Sequence, residues 1–238
     1  MSNTYFRFKQ FTVHQDRAAM KVCTDACLFG AWIAHHIQSA AHVLDIGTGT
    51  GLLTLMYAQQ HSESLLDAVE LDSAAAKQAE ENSKASPWSK RIKVYATSIQ
   101  QFHPGHSYDL IIANPPFFEN DLRSADTGRN NAMHDTALTL EELSDIIPRH
   151  LSPFGHFAVL LPDHRRDYFI SLMLKRDLHL QSGLQVKQSP QHDYFRSILC
   201  FAQQRSISVQ EEEIVIREDK DRYSEKFASL LKEYYLYL

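Results

Sequence analysis

Short apolar runs alternate with amphipathic stretches along most of the chain. Val43–Ile46, Leu65–Glu70, Arg91–Ala96, Tyr108–Ala113 and Gly155–Pro162 read as short buried strands. The stretches beginning at Leu52, Ser73, Leu138 and Arg165 read as helices, and Ser73–Lys84 is alanine-rich with good intrinsic propensity. Strand then helix, repeated, predicts an α/β fold with a mostly parallel sheet. The pattern then changes. His179–Gln188 and Phe195–Gln204 alternate like two antiparallel strands joined at Ser189-Pro190, which predicts an antiparallel edge. Ile214–Ile216 reads as one more short strand. Tyr223, Phe227, Leu230, Leu231 and Tyr234 mark a closing amphipathic helix.

Two short alternating pieces at the start, Tyr5–Lys9 and Gln10–His14, read as a small hairpin or an extended arm. Thr24 then reads as an N-cap, with Asp25 complementing the first turn of a helix. Leu28, Phe29, Trp32, Ile33 and Ile37 fall at helical spacing and predict one buried face. A chain of 238 residues fits one domain: an N-terminal arm and helix over 1–40, a core over 41–205, and a C-terminal strand and helix over 206–238.

Candidate chemistry centres on Asn114-Pro115-Pro116-Phe117. The apolar strand before it stops at Asn114, because neither proline can donate to a ladder. Asn114 offers a side-chain carbonyl, Pro115 a backbone carbonyl and Phe117 a flat apolar face. Two acceptors of that kind can grip the two N–H groups of an aromatic amine and aim its lone pair at an electrophile. Phe117 can stack on the ring, as aromatics do with flipped bases. The plainer alternative is a diproline turn capping a strand, with Phe117 and Phe118 packed. The long polar loop Glu119–Asp135 that follows has the length of a functional lid.

A second constellation lies upstream. Asp45-x-Gly47-x-Gly49-x-Gly51 joins a buried strand to a helix start, where glycines let backbone approach a ligand and free N–H groups point at it. Leu52 stands three residues after Gly49, so the dinucleotide spacing Gly-x-Gly-x-x-Gly is not met. Glu70 ends the next strand, placed to accept the hydroxyls of a ribose. Ribose without the pyrophosphate pattern points to a nucleoside ligand lacking a diphosphate.

Composition narrows the class. The net charge is −5, yet Arg7, Lys9, Arg17 and Lys21 outweigh Asp16 near the start. Between residues 163 and 205, seven basic side chains face four acidic ones. These are two candidate nucleic-acid patches or two ordinary solvated faces. Three sparse cysteines fit a reducing compartment, and the apolar runs are too short to span a bilayer. A cytoplasmic protein without membrane contact is expected. His35-His36 diverge on a helix and Cys23-x3-Cys27 lacks a second pair, so no metal is expected.

Taken in order, Asp45-x-Gly47-x-Gly49-x-Gly51, Glu70 and Asn114-Pro-Pro-Phe117 resemble the class I S-adenosylmethionine-dependent amino-methyltransferases over roughly residues 20–205. The resemblance implies a Rossmann-like, doubly wound, seven-stranded sheet with one antiparallel strand, and S-adenosyl-L-methionine as cofactor. It implies Asp45, Gly47, Thr48, Gly49 and Gly51 around the methionine part, Glu70 on the ribose with Leu71 beside it, and Ser98 and Ile99 near the adenine. Ser98 stands where the family often carries an acid. Asn114, Lys21 and Thr24 complete the implied cofactor set, and Asn114, Pro115, Pro116 and Phe117 the implied catalytic corner.

Met20-Lys-Val-x-Thr24-Asp25, with Arg129, Met133, His134 and Asp135 after the lid, is similar to the bacterial tRNA adenine-N6 methyltransferases acting on valine tRNA. Cys23 and Ala26 occupy two glycine positions of that pattern. This resemblance implies a tRNA partner, methylated at the adenine beside the anticodon (position 37), and a monomeric enzyme. Rivals are release-factor glutamine methyltransferases, which carry a longer segment before the glycine loop and usually Tyr at the Phe117 place, and ribosomal guanine-N2 methyltransferases. A non-catalytic cofactor- or RNA-binding module is the rival of another class.

Overall fold

Alternate residues of the Asn114 strand enter opposite cores, which is why its sequence is continuously apolar. Leu110 and Ile112 pack into one core and Ile111 and Ala113 into the other. The computed structural model describes residues 3–18, 20–116, 138–219 and 222–238. Phe117, Phe118, the lid Glu119–Asp135, and Arg129, Met133, His134 and Asp135 lie outside the described residues.

The strands are β1 (Tyr5–Arg7), β2 (Thr12–His14), β3 (His42–Ile46), β4 (Leu65–Glu70), β5 (Ile92–Ala96), β6 (Tyr108–Ala113), β7 (Leu151–Pro162), β8 (His179–Lys187), β9 (Tyr194–Ala202) and β10 (Gln210–Val215). The helices are α1 (Thr24–His36), α2 (Leu52–Gln60), α3 (Ser73–Ala85), α4 (Leu140–His150), α5 (Arg166–Leu174) and α6 (Glu225–Leu231). β1 and β2 form a separate hairpin, and the main sheet runs β10-β8-β9-β7-β6-β3-β4-β5.

Eight strands stand where seven were expected. The extra one is β10, which pairs in parallel with β8 at the sheet's edge. The expected antiparallel edge is also corrected. β9 is the antiparallel strand, but it is inserted between β7 and β8 and pairs with both. Alternation in sequence identifies a strand and its turn; it does not say which neighbour lies beyond.

Asp109, the one acid in β6, anchors the opposite end of the sheet. One of its oxygens accepts from the backbone N–H groups of Ala41 and His42, each at 3.0 Å, and the other from Ser152 Oγ at 3.2 Å.

Helix α1 differs from expectation in two ways. Its N-cap is Cys23, without a side-chain cap bond, and Thr24 is the first helical residue. It is also buried on every side, from Ala26 through Ala34, rather than on one face. Helices α2 and α6 pack against it. Gly30 permits this closeness, because a Cβ there would stand 2.7 Å from Met56 Sδ. The closing helix is shorter than its pattern, and Tyr234 and Tyr235 pack beyond its end. Tyr234 donates its hydroxyl to the Met56 carbonyl at 3.1 Å. Among the described residues, no helix is long and apolar enough to cross a membrane, and no group of three or more metal-ligating side chains gathers.

Candidate active site

The two constellations meet at the carboxyl edge of the sheet, where strand order reverses direction. β3 pairs with β4 on one side and β6 on the other, and Ile46 is level with both Val69 and Ala113. Gly47, Glu70 and Asn114 are therefore neighbours across three strands, and Ser98 follows on β5 beyond Ala96, the partner of Glu70. From Ser98 to Asn114 is three strand spacings, roughly 14 Å. This is the crevice in which open α/β sheets bind their ligands.

The glycine turn is built around the buried carboxylate of Asp45. Its Oδ2 accepts from Thr48 Oγ1 at 2.6 Å and from Thr54 Oγ1 at 2.7 Å. Gly47 and Thr48 donate their backbone N–H groups to the Val69 carbonyl, folding the turn over the end of β4. Gly47, Gly49 and Gly51 all hold positive φ, at 68°, 57° and 82°. A Cβ at Gly47 or Gly49 would meet nothing within 4 Å, so both open onto free space. Behind the turn, Asn82 of α3 donates to the carbonyls of Thr50 and His14, each at 2.9 Å, bracing it against the β1–β2 hairpin.

Glu70 is already engaged by this scaffold. Its Oε2 accepts from Gly49 N at 2.9 Å and its Oε1 from Asp72 N at 3.0 Å. Each oxygen keeps further lone pairs, so the carboxylate orders the turn while still able to accept hydroxyls. Leu71 is exposed beside it, Ser98 is half-buried, and Ile99 is buried at the start of a short helical turn.

At the corner, Asn114 is half-buried, Pro115 buried and Pro116 exposed. Among the described residues, two buried side-chain acceptors at these strand ends have no hydrogen-bond partner: Asn114 Oδ1 and Asp45 Oδ1. Buried polar atoms are nearly always satisfied, so two orphans at one ligand-sized crevice mark where donors belong. One suits an aromatic amine, the other a cationic or N–H-bearing arm. Open space at two glycines, a strand-end acid with lone pairs to spare and these unpartnered acceptors together fit S-adenosylmethionine.

Lys21 is exposed, and among the described residues no hydrogen bond or ion pair ties it to the turn. Thr24 is half-buried one residue before Asp25, whose carboxylate holds Arg196 at 2.8 Å. Since Arg196 pairs with Pro162 in register, this ion pair brings the start of α1 to the same edge as Asn114. Asp25 was expected near the site from sequence, whereas Thr54 and Arg196 shape it without having been assigned to it. A hydroxyl among Leu52, Leu53, Leu55 and Met56 was the available signal for Thr54.

Burial raises the pKa of Asp45 despite the opposing bonds from Thr48 and Thr54, with Glu70 adding to the rise. A carboxyl whose folded-state pKa lies above its unfolded value costs the fold stability as pH climbs from the unfolded value through the folded one. Asp45→Asn is therefore expected to raise Tm at pH 8. The gain should vanish towards pH 4. Thermal unfolding of both forms across that range checks it, and a variant equally destabilised at both ends would contradict it.

The family model of the methyltransferase small domain matches residues 30–142. The chain is 40% identical to the tRNA1(Val) (adenine(37)-N6)-methyltransferase of Dyadobacter fermentans, covering 98% of each chain. It is likewise 40% identical to the protein of that name from Tolumonas auensis, covering 99% of this chain and 98% of the relative. In fold it is similar to the ribosomal protein L11 methylase of Lactobacillus delbrueckii subsp. bulgaricus, with a TM-score of 0.57 at 16% identity over 81% of this chain and 84% of that one. Near-complete overlap at this identity, on a crevice with an open glycine turn and an unpartnered asparagine, has one consequence: the chain belongs to the tRNA1(Val) (adenine(37)-N6)-methyltransferase family of S-adenosylmethionine-dependent enzymes.

Proposed function

We propose that this enzyme methylates the exocyclic N6 of the adenine at position 37, beside the anticodon of valine tRNA. The observation that carries the reading is the buried, unpartnered Asn114 Oδ1, level with the glycine turn and Glu70. The names of the full-length relatives support the same substrate.

S-adenosylmethionine, when bound, supplies a methyl group on a positively charged sulfur. Asp45, Gly47, Thr48, Gly49 and Gly51 would hold its amino-acid arm, Glu70 its ribose with Leu71 alongside, and Ser98 and Ile99 its adenine. Thr24 and Lys21 border the entrance in this reading. Asn114 Oδ1 and the Pro115 carbonyl accept the two N6–H groups of the target adenine and draw its lone pair out of conjugation. Pro116 stiffens that corner, and Phe117 stacks on the base. In that geometry the N6 lone pair would be aimed at the methyl group of bound S-adenosylmethionine, with its sulfur as the leaving group. The extra proton on nitrogen then leaves to solvent. Positioning and fixed dipoles carry the catalysis, so no strongly basic side chain is required.

The test combines purified protein and labelled cofactor with unmodified bulk tRNA, ribosomal RNA and a release factor in parallel, read by nucleoside mass spectrometry. N6-methyladenosine confined to valine tRNA is the expected result. Label in ribosomal guanine or in protein glutamine would overturn the substrate assignment.

A further inference from the structure

The four cation–ring pairs found among the described residues lie along one edge of the sheet. Arg165 sits 5.1 Å from the Tyr168 ring centre, Arg196 5.2 Å from Phe195, Lys187 4.4 Å from Tyr194, and Arg217 4.4 Å from Tyr223. Pairing places them in sequence. Val159 is level with Ala113, so the end of β7 and Arg165 run past Asn114. Pro162 pairs with Arg196, Tyr194 with Lys187, and Arg217 N donates to the Gln188 carbonyl. The strip thus leaves the Asn114 corner and crosses β7, β9, β8 and β10, roughly 19 Å from β6 by strand spacing. Such pairs occur about once in 70–80 residues, so their number is ordinary. Their confinement to the catalytic edge is not.

Charge along the strip is nearly balanced. Asp25 binds Arg196, Glu213 lies 3.9 Å from Lys187 Nζ, and Asp163 accepts from Ser197 and Gln185. A balanced strip is a poor rail for phosphates. Its distinctive surface is instead flat: half-exposed rings with cationic heads laid on them, three of those heads planar guanidinium groups. Unpaired bases stack on such rings and guanidinium planes, whatever their identity.

We propose that this strip receives the unpaired nucleotides flanking the target base, by stacking rather than by charge, an inference that rests on the RNA reading above. The strand leaves the Asn114 corner and runs outward over Phe195 and Arg196 to Tyr194 and Lys187. A folded loop presents its unpaired bases to this surface while the target base occupies the corner.

The experiment uses the full chain with Tyr194→Leu, Tyr194→Phe, Tyr168→Leu and Tyr168→Phe. Fluorescence anisotropy with an unmodified valine tRNA gives affinity, steady-state kinetics give KM and kcat, and calorimetry gives cofactor binding. The Leu variants should bind RNA roughly tenfold more weakly, the order of one lost stacked base, while the Phe variants match wild type. KM for RNA should rise with kcat at saturation and cofactor affinity unchanged. Equal loss in the Leu and Phe pairs would assign the effect to the hydroxyls and overturn stacking. Unchanged affinity in both Leu variants, beside a wild type that binds and methylates tRNA, would overturn the strip alone. A wild type that neither binds nor methylates any RNA would remove the RNA reading and the strip with it.

Discussion

Replacing Asn114 by alanine is expected to lower kcat about 10²- to 10³-fold while leaving cofactor affinity within about twofold. The expected size follows from the loss of one preorganised acceptor at a reacting group, which costs that much in comparable sites. A misplaced amine adds to the loss, because in-line transfer tolerates little error in attack geometry. Cofactor affinity should survive because, among the described residues, Asn114 Oδ1 has no hydrogen-bond partner, so its removal releases no bond of the glycine turn. The fold should survive as well, since the corner is held by the two prolines and by the apolar run before it. Single-turnover kinetics with pre-bound cofactor isolate the chemical step, and calorimetry reads cofactor binding separately. If alanine at 114 abolished cofactor binding, or left the single-turnover rate intact, the acceptor role would be lost.

The opposite signature is expected at Glu70. Its carboxylate bridges Gly49 N and Asp72 N, so Glu70→Ala removes the proposed ribose acceptor and also frees two backbone donors that shape the turn. Hydrogen bonds to a charged group are worth about 1.5–3 kcal/mol each. Loss of the ribose contacts alone corresponds to a Kd for S-adenosylmethionine raised about 100-fold. At saturating cofactor kcat should fall far less, because the Glu70 oxygens are engaged at Gly49 N and Asp72 N and none is bound to Asn114. Glu70→Gln keeps one acceptor oxygen and should lie between the two. Calorimetric titration of all three proteins is decisive, and an unchanged Kd in the alanine variant would remove Glu70 from the cofactor site.

The two expected outcomes would separate binding from chemistry within a single row of strand ends. That row was legible in the sequence because each member imposes a local constraint. The prolines after Asn114 end a strand whatever surrounds them. The glycines after Asp45 take backbone angles that other residues resist, and three of them do. The helices and strands around the row were legible by period.

What was not legible depends on contacts distant in sequence. The face of α1 opposite its large residues is made of Ala26, Gly30, Ala31 and Ala34, which read as neutral until α2 packs close against Gly30. Nothing local says that β9 inserts between β7 and β8, nor that the short strand read at Ile214–Ile216 joins the sheet in parallel beside β8. Asp45 read as a ligand residue. Its closure by Thr48 and Thr54 requires a helix start to fold back onto a strand end, which spacing alone does not reveal.

The insertion of β9 also bears on synthesis. β7 pairs with β6 on one side, and its other side is covered only by β9, from His156 against Ala202 to Pro162 against Arg196. A chain emerging from its amino end has the glycine turn, Glu70 and the Asn114 strand in hand by residue 116. The flank of β7 stays bare until residues 194–202 arrive. An unpaired strand flank is a template for other chains, and folding begins before synthesis ends. Premature termination between β7 and β9 would therefore leave a product with the glycine turn and the Asn114 corner complete but one flank of β7 open to pairing with other chains.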